Sequence, residues 1–473
     1  MGSLRVLNRD QLEMIHTATV KVLEEVGVFV GSRRGLKILG EAGAEIDFGK
    51  KIARIPETLL MEGIGRAPSG FVLASRNGRF DVRIEKGEVR FCPCGTPVHV
   101  LDLKTGERRE SMKRDVADEA RLVDALGGVA FHQPPTCAMD VPKEAHYEHE
   151  YEAVFKATEK HFMHGAPGGG IARNFIRMAA LIEGGHDRLE SRPIISLVIC
   201  PISPLEHMEG NVDALMEFAR ARLPICVLSM PMAGAVSPVT VAGTLVVLNA
   251  ENLSGILLAE LTGPGTPVFY ASNASIMDMR TGIASFGAPE MGLINAAVVQ
   301  LADFYDLPSF VVGGTTDSKV PDVQAGYEKA ATAMVPALAG ANVIFSLGLI
   351  DSIETFSYEQ LVIDEEIAGH ILHVLEGVEI TEETIALDLI ERVGVGGTYL
   401  AERHTLKHLG GLWMPRLSVR VKGEAKEDMV SRAREKVMEV LSKHQPAPLE
   451  KDVSEAIEGI VGEAEKERLK KET

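Results

Sequence analysis

Residues 286–329, FGAPEMGLINAAVVQLADFYDLPSFVVGGTTDSKVPDVQAGYEK, decide the fold class of this chain. A loop with Gly and Pro leads into an apolar helix from Met291 to Phe304, and a short buried strand follows at Ser309–Val312. The strand ends in the small, polar and charged run 313–319, after which a Pro-marked turn opens another helix. This order of elements predicts a βα unit, with polar side chains gathered after the carboxyl end of its strand.

The same alternation continues through the middle of the chain. Eight short β-branched or apolar runs alternate with helical stretches, at Glu88–Cys92, Val129–His132, His161–His164, Ile194–Ile199, Pro224–Ser229, Pro267–Ala271, Ser309–Val312 and Asn342–Phe345. Proline often stands where a helix gives way to the next strand, as in αβ connections. Eight such repeats favour an α/β fold, the TIM (β/α)8 barrel. An open doubly wound sheet is the main competing interpretation, because the first strands are less regular than the last five.

The flanking segments differ from the middle. Residues 1–88 are predicted to form an N-terminal α+β cap, with Asp10 capping an amphipathic helix and a hairpin turn at Asn77-Gly78. Residues 89–380 are predicted to hold the barrel. Residues 381–473 are predicted to form a C-terminal helical extension that ends in charged amphipathic helices.

Composition limits the class of protein. The chain has 473 residues, 45% apolar and 25% charged, as is typical of soluble globular proteins. Its 49 Lys and Arg against 67 Asp and Glu give a net charge of −18, so nucleic acid and anionic membrane surfaces are not expected partners. Polar residues interrupt the longest apolar helical stretch, Val241–Thr262, so no membrane span is predicted. Five cysteines and no signal-peptide pattern indicate a cytoplasmic protein without a disulfide framework.

In a barrel, the residues just after each strand line one pocket. The candidates at or near these positions are His164, Asn273, Glu290, Asp317, Lys319 and Gln324, together with the aromatic residues Tyr270, Phe286, Tyr327 and Phe356. Glu290 suits a general base, or it is only the first-turn carboxylate of its helix. Lys319 suits an anion site, or it is a surface lysine that pairs with Asp317 or Asp322.

A metal site was considered at Cys92-Pro-Cys94 with His132 and His164. One residue between the cysteines is too few for an ordinary structural zinc site, and barrel strands often carry buried thiols as plain core. We therefore expect that this chain needs no metal. The sequence also contains no GxSxG, P-loop or HExxH motif.

Several long motifs point to a known family. They are LNRDQLEMIHTATVKVLEEVGV at 7–28, the HGAPGGG loop from His164, PEMGLINAA at 289–297, GTTDSKVPDVQAGYEKA at 314–330, the PALAGAN that follows, and SYEQLVIDEEIAG at 357–369. In these stretches the chain resembles the trimethylamine methyltransferase family. The resemblance implies a TIM barrel that moves a methyl group from an amine to the Co(I) of a corrinoid held by a separate cognate protein. It implies no permanently bound cofactor and a homo-oligomer.

The archaeal trimethylamine enzymes of that family carry pyrrolysine in the barrel, whereas this chain contains only standard residues. It therefore resembles the non-pyrrolysine branch, whose members demethylate quaternary amines such as glycine betaine. Tyr327 is expected at or near the pyrrolysine position. We expect glycine betaine as the first-choice substrate; another methylated amine, or an inactive relative that acts as a binding or scaffold protein, are the alternatives.

Methyl transfer from a quaternary nitrogen assigns roles to the candidates. The leaving amine departs neutral, so the protein must position the N-methyl group and stabilise the cation. Glu290 and Asp317 are predicted as catalytic residues. The predicted substrate-binding residues are Tyr270, Asn273, Phe286, Lys319, Gln324, Tyr327, Phe356 and His164, because aromatic rings stabilise trimethylammonium groups and Lys319 suits a carboxylate.

Overall fold

The computed structural model describes residues 4–420, 422–423 and 427–469, with side chains to residue 467. The N-terminal elements are α1 Arg9–Lys21, β1 Val28–Val30, α2 Arg33–Ala42, β2 Glu45–Asp47, β3 Ile52–Arg54, α3 Glu57–Ile64, β4 Phe71–Leu73 and β5 Val82–Ile84. The cap of α1 is Asn8 rather than the predicted Asp10, because the Asn8 side chain accepts from the amide of Gln11. A π-helical turn, Val22–Val26, extends α1.

Strands β4 and β5 form the predicted hairpin around Asn77-Gly78. Their inward residues Leu73 and Val82 join the apolar cluster inside the central sheet. Phe71 packs edge-to-face on Phe269, with ring centroids 4.9 Å apart. Phe269 stands near the start of its strand, so the hairpin covers the amino end of the sheet.

The middle of the chain contains most of the regular structure. Its elements are β6 Arg90–Cys92, β7 His99–Leu101, β8 Arg108–Glu110, α4 Lys113–Ala125, α5 His146–Ala157, β9 Phe162–Gly165, α6 Gly169–Glu183, α7 His186–Ser191, β10 Ile195–Ile199, β11 Glu206–His207, α8 Glu209–Arg220, β12 Ile225–Ser229, β13 Met232–Ala233, α9 Val241–Thr262, β14 Val268–Ser272, β15 Ser275–Asp278, β16 Ile283–Ser285, α10 Pro289–Phe304, β17 Ser309–Val312, α11 Val323–Ala339, β18 Val343–Phe345, β19 Leu349–Ile350, β20 Thr355–Phe356 and α12 Tyr358–Glu376.

Seven of these strands form one curved parallel sheet in the order β6-β18-β17-β14-β12-β10-β9. They correspond to seven of the eight predicted strands. The eighth, Val129–His132, is not a regular strand, but it hydrogen-bonds to both edges of the sheet. The amide of Ala130 donates to Phe91 at 2.8 Å, and the amide of His132 donates to His161 at 3.0 Å.

Alternate residues of the strands face two different apolar layers. Phe269 and Ala271 of β14 point inside the sheet, where Phe310 and Phe345 stack with centroids 4.6 Å apart. Residues of the opposite parity pack against the surrounding helices. Because both faces are covered, the strands are short runs of apolar residues.

Helix α9 is long and apolar enough to cross a membrane, but 72% of its apolar window is buried inside the protein. Its polar residues contact neighbouring elements. Asn249 donates to Thr19 and accepts from the Tyr270 hydroxyl, while Glu251 accepts from the hydroxyl of Ser203. These contacts fix α9 between α1 and the sheet as a core helix.

The C-terminal elements are α13 Glu382–Ile385, α14 Leu387–Val393, α15 Arg403–His408, α16 Met429–Lys443 and α17 Lys451–Leu469. Helix α16 packs on α12 and α4, and α17 packs on α5 and α6. One apolar cluster runs from Ile15 to Val461 through all three predicted segments. The predicted boundaries near 88 and 380 stay predictions.

Candidate functional site

The loop after β17 is joined to two other loops by the carboxylate of Asp317. This carboxylate accepts hydrogen bonds from the amides of Phe286 and Gly287, at 2.7 and 3.1 Å. It also accepts from the hydroxyls of Ser285 and Ser352, the latter at 2.9 Å. Four donors hold one negative charge at the carboxyl end of the sheet, where βα enzymes place their chemistry.

A second carboxylate, Glu328, lies beside it and is buried in α11. Glu328 accepts from the Thr316 hydroxyl at 2.6 Å and from the Asp317 amide at 2.9 Å. A side-chain carbon at Gly287 would lie 2.4 Å from Oε2 of Glu328, so only glycine allows this close approach. Asp317 and Glu328 therefore form one anionic pair that the loop geometry fixes in place.

Two residues that were predicted to bind substrate, Gln324 and Tyr327 of α11, contact Glu328. The Gln324 amide donates to Glu328 at 2.9 Å, and the Tyr327 hydroxyl lies 3.3 Å from the same oxygen. The negative charge of Glu328 raises the pKa of the Tyr327 phenol. Tyr327 is 62% exposed, so its ring is open to a ligand or partner. It lies at the carboxyl end of the sheet, here called the mouth.

A buried ion pair lies beneath the loop after β17 and contacts it. Lys329 is fully buried, and its ammonium donates to Gly314 O at 2.6 Å and to Asp364 at 2.8 Å. Burial lowers the pKa of Lys329 and raises that of Asp364, and their attraction opposes both shifts. Asp364 also accepts from the Gly348 amide at 2.7 Å, so the pair links the loops after β17 and β18.

Lys319 lies on the rim and is exposed. It forms an ion pair with Asp351, rather than with Asp317 or Asp322 as its alternative interpretation predicted. A rim cleft of about 430 Å³ is lined by Lys319, Asp351 and Asp317, and also by Arg108. Clefts of about 480 Å³ lie elsewhere, between α6 and α8 and beside α4, away from the strand ends.

Three other candidates also stand near the strand ends. Asn273 follows β14 and is buried, and its amide donates to the Met230 sulfur at 3.0 Å while its Oδ1 has no protein partner within the described residues. Phe286 belongs to the interior cluster, and its carbonyl accepts from Thr315 at 2.8 Å. Glu290 is half-buried in the first turn of α10, next to Pro289 at the helix start, a place consistent with both of its predicted roles.

The structure does not place Tyr270 and Phe356 at the mouth. Tyr270 is fully buried on the outer face of β14, where its hydroxyl donates to Asn249 at 2.7 Å. Phe356 is fully buried beneath Gly348 and packs edge-to-face on Tyr358. The prediction that both contact the substrate is corrected, because strand alternation turns Tyr270 outward and β20 folds Phe356 under its own loop.

His164, inside β9, belongs to a second polar cluster. The Gly165 amide donates to Nδ1 of His164, so the Nε2–H donates to Glu150, 2.7 Å away. Nearby, burial lowers the pKa of His132 to about 3, and neither ring nitrogen has a protein partner in the described part of the chain. Glu119 accepts from Thr136 at 2.8 Å, and burial raises its pKa.

The four residues considered for a metal lie at the same end of the sheet. Cys92 and Cys94 are buried, and burial raises the pKa of both thiols, which disfavours the thiolate that binds metals. His164 already donates to Glu150. Within residues 4–420, 422–423 and 427–469, no group of three or more His, Cys, Asp or Glu has metal-binding geometry. That the protein needs no metal stays a prediction.

Sequence reasoning missed Glu328, Lys329, Glu119 and Glu150. Glu328 follows Gln324 by four residues and precedes Lys329 in the first turns of the helix after a strand-end loop. That position could have identified both, since such helices begin at the mouth. Glu119 and Glu150 gave no signal, because an acidic residue in a charged helix normally faces solvent.

The arrangement suits a small cation. Fixed carboxylates attract positive charge without reorganising, and an exposed phenol ring contributes about 0.5–1 kcal/mol to a quaternary ammonium group. The rim cleft adds the cations Arg108 and Lys319 to Asp317. It thus offers partners of both signs within one cleft.

Comparison with known proteins identifies the family. A sequence profile of the family described as "Trimethylamine methyltransferase (MTTB)" matches residues 1–468. The trimethylamine methyltransferase MttB of Desulfitobacterium hafniense (strain DSM 10664 / DCB-2) is 39% identical over 463 residues, covering 97% of this chain and 93% of that protein. The glycine betaine methyltransferase of Desulfitobacterium hafniense (strain Y51) is 34% identical over 484 residues and covers 99% of each chain.

A solved structure shares the fold. The crystal structure of the monomethylamine methyltransferase MtmB of Methanosarcina barkeri matches with a TM-score of 0.54 at 13% identity, covering 92% of this chain and 87% of that one. The family profile and the relatives extend over nearly the whole sequence, as the motifs between residues 7 and 369 predicted. The chain therefore belongs to the trimethylamine methyltransferase family.

Proposed function

We propose that this protein transfers a methyl group from a quaternary amine, glycine betaine as first choice, to the Co(I) of a corrinoid carried by a cognate partner protein. The observation that carries the proposal is the rim cleft, where the Asp317 carboxylate and the cations Arg108 and Lys319 line one space of about 430 Å³. A betaine has one charge of each sign a few ångströms apart, and this cleft has partners for both. The relative named as a glycine betaine methyltransferase, similar over its full length, supports the same substrate class.

The proposed reaction needs little acid–base catalysis from the protein. The C–N bond breaks with its electron pair on nitrogen, so the amine leaves neutral, and the methyl carbon bonds to cobalt, which goes from Co(I) to Co(III). Asp317, Glu328 and the Tyr327 ring hold the ammonium group before transfer. Arg108 and Lys319 orient the carboxylate end.

The fold and location complete the proposal. Segment 129–132 takes the position of the eighth strand, because it hydrogen-bonds to β6 and beside β9. In this way it closes the curved sheet into a (β/α)8 barrel. Residues 1–88 act as its cap. The five free cysteines agree with a reducing cytoplasm.

Trimethylamine is the second candidate substrate, because the relative with 39% identity is named for it. The experiment mixes the protein with a reduced corrinoid protein and either glycine betaine or trimethylamine, and follows loss of the cob(I)alamin spectrum. We expect methylation with betaine and none with trimethylamine. Turnover of trimethylamine alone would overturn the substrate assignment, and turnover of neither would favour the binding or scaffold alternative.

A paired substitution tests the cation site. Glu328→Gln keeps the shape of the side chain but removes its charge, so we expect betaine affinity to fall about tenfold or more, from losing about 1.5–3 kcal/mol. Glu62→Gln is the matched control, because Glu62 is exposed on α3 and does not line the rim cleft. Calorimetric titration measures both. Unchanged affinity in Glu328→Gln, with folding intact, would place the cation elsewhere.

A further inference from the structure

Two neighbouring loops supply most of the charged residues that line the rim cleft. Residues 313–319, here called the β17 loop, follow β17, and residues 348–355, here called the β18 loop, follow β18. The Ser352 amide donates to the carbonyl of Thr316 at 3.0 Å, and the Ser352 hydroxyl donates to Asp317 at 2.9 Å. The two loops are therefore joined to each other where they border the cleft.

These loops hold the charges that the proposed function assigns to the two ends of betaine. Asp317, for the ammonium group, lies in the β17 loop. Arg108, for the carboxylate, donates from Nε to the hydroxyl of Thr355 in the β18 loop at 3.0 Å. Lys319 forms its ion pair with Asp351 of the same β18 loop. The distance between the anionic and the cationic side of the cleft thus depends on how one loop lies relative to the other.

Each loop contains a glycine that is hydrogen-bonded to one half of a buried ion pair. Gly314 has a φ of +67° and Gly348 a φ of +83°, values in the left-handed region that favours glycine. The Gly314 carbonyl accepts from the Lys329 ammonium at 2.6 Å, and the Gly348 amide donates to Asp364 at 2.7 Å. Lys329 and Asp364 lie 2.8 Å apart. The ion pair therefore connects the bases of the two loops.

The ion pair is enclosed by the helices that follow the two strands. Lys329 belongs to α11 and Asp364 to α12, and their side chains are 0% and 2% exposed. Gln360 donates to the second oxygen of Asp364 at 2.8 Å. Packing alone does not require charges here, because apolar residues of similar volume often replace a buried ion pair without loss of stability. The contacts with two loop glycines are what an apolar pair would not provide.

We propose that Lys329 and Asp364 are positioning residues that set the spacing between the anionic and the cationic side of the rim cleft. This inference rests on the proposed function, because it takes glycine betaine as the ligand that spans both sides. A zwitterion binds tightly only when both of its ends meet their partners at once. A cation without a carboxylate uses one side and tolerates a shift of the other. The ion pair thus contributes to selectivity for the zwitterion without contacting it.

The test replaces the ion pair with apolar residues in the full-length protein. Lys329→Met with Asp364→Leu removes both charges, so no uncompensated charge stays buried, but the two glycine backbone groups lose their partners. Hydrogen exchange followed by mass spectrometry without ligand should show both loops exchanging about tenfold faster, with α11 and α12 little changed. Calorimetric titration should show about tenfold weaker binding of glycine betaine, and a smaller loss for tetramethylammonium.

A second variant, Asp364→Asn, separates the two loop contacts. Its amide oxygen still accepts from Gly348, but the charge that holds Lys329 is lost. We expect exchange to increase more in the β17 loop than in the β18 loop. This variant also decides the question if the double variant does not fold, since the opposite order, or no change in either loop, would contradict the proposal.

Lys160→Met is the matched control, because it makes the same substitution of a buried lysine at the amino end of the sheet. Lys160 is 5% exposed and donates to three backbone carbonyls at 2.6–2.7 Å, away from both loops. Exchange of the β17 and β18 loops and the relative affinities for the two ligands should stay as in the wild type.

Three results would contradict the proposal. Unchanged exchange of both loops in the folded double variant would mean that the ion pair does not hold them. Equal losses of affinity for betaine and tetramethylammonium would mean that the pair does not set the spacing. The same changes in Lys160→Met would attribute them to a general loss of stability. If the wild type binds no betaine, the proposed function fails, whereas the exchange measurement needs no ligand and still decides whether the pair positions the loops.

Discussion

At the scale of single residues, the mouth contains two carboxylates that already accept several hydrogen bonds from the protein when no ligand is bound. Asp317 accepts from four donors and Glu328 from four. These donors keep the charges in place in the absence of a ligand, so little reorganisation is needed when a cation binds. Such a site stabilises a cation by position rather than by proton transfer.

Tyr327 is expected to contribute its ring and not its hydroxyl. Tyr327→Ala should weaken betaine binding by about 0.5–1 kcal/mol, roughly two- to fivefold, because the cation loses an exposed aromatic face. Tyr327→Phe keeps the ring and should bind betaine nearly as well as the wild type. Calorimetric titration of both variants checks this. If the Phe variant loses as much as the Ala variant, the phenol and its contact with Glu328 carry the effect.

Lys319 is expected to act on the carboxylate end. Lys319→Ala should weaken betaine binding by about 1.4- to fivefold, since an exposed ion contact is worth about 0.2–1 kcal/mol. Tetramethylammonium and choline lack the carboxylate and should bind as to the wild type. The three titrations are compared side by side, and equal losses for all three ligands would show that Lys319 only holds Asp351.

At the scale of elements, the repeating pattern of apolar runs predicted the central strands closely. β17 begins and ends at the predicted residues, and the other six lie within about two residues of their predictions. Helix α4 and the hairpin of β7 and β8 were missed. Helix α4 is Lys113–Ala125, whose acidic residues Asp115, Glu119 and Asp124 are buried, so its apolar pattern is broken. Strand β8 consists of partly or fully exposed charged residues, and the connection between β7 and β8 lacks a turn of the Asn-Gly type.

The strand-end rule placed Asp317, Gln324 and Tyr327 close together at the mouth, where the structure also has them, while their roles in binding and catalysis stay predictions. It failed for Tyr270, which stands inside a strand, because a shift of one residue turns a side chain to the other face. Glu119 and Glu150 depend on long-range packing that no local pattern contains.

His161 links three elements at the amino end of the sheet, and this predicts a pH dependence. Its Nδ1–H donates to Ala74 and Pro193, and its Nε2 accepts from Ser196 at 2.8 Å. Burial lowers its pKa to about 4. An unfolded histidine titrates near 6.5, so the unfolded state binds more protons between these values. The contribution of His161 is complete above pH 6.5 and falls by about 3 kcal/mol toward pH 4.

Urea unfolding of the wild type and His161→Asn between pH 7 and pH 4 measures this contribution. The substitution should destabilise at pH 7, and the difference should shrink by about 3 kcal/mol as the pH falls to 4. His186→Asn is the control, since His186 is exposed at the start of α7. A difference that stays constant with pH would mean that His161 binds its proton over the same pH range in the folded protein as in the unfolded chain.

At the scale of the whole molecule, two parts of the surface differ in composition. The mouth carries the rim cleft, which is lined by four acidic and two basic residues. Residues 378–420, which follow α12, expose thirteen large apolar side chains. Under the proposed function, a methyl group has to reach a cobalt atom in another protein, and this requires an open mouth.

The open mouth leads to a prediction about the corrinoid partner. We expect the loop 348–355 and the segment 230–235 to form the docking face. Asp351 is unsuitable for a test, because it is half-buried and paired with Lys319. Glu354 is exposed on the same loop and lines the rim cleft. An acidic chain is expected to meet a basic face of its partner, so Glu354→Lys should raise KM for the corrinoid protein about two- to fivefold and change betaine affinity less than it changes this KM. The effect of Glu354→Lys on KM should shrink as salt is added.

Glu62→Lys on α3, exposed away from the mouth, is the matched control. Steady-state kinetics at saturating betaine give KM, and calorimetry gives betaine affinity. If betaine affinity falls while KM for the partner stays the same, Glu354 belongs to the substrate pocket and the docking face lies elsewhere.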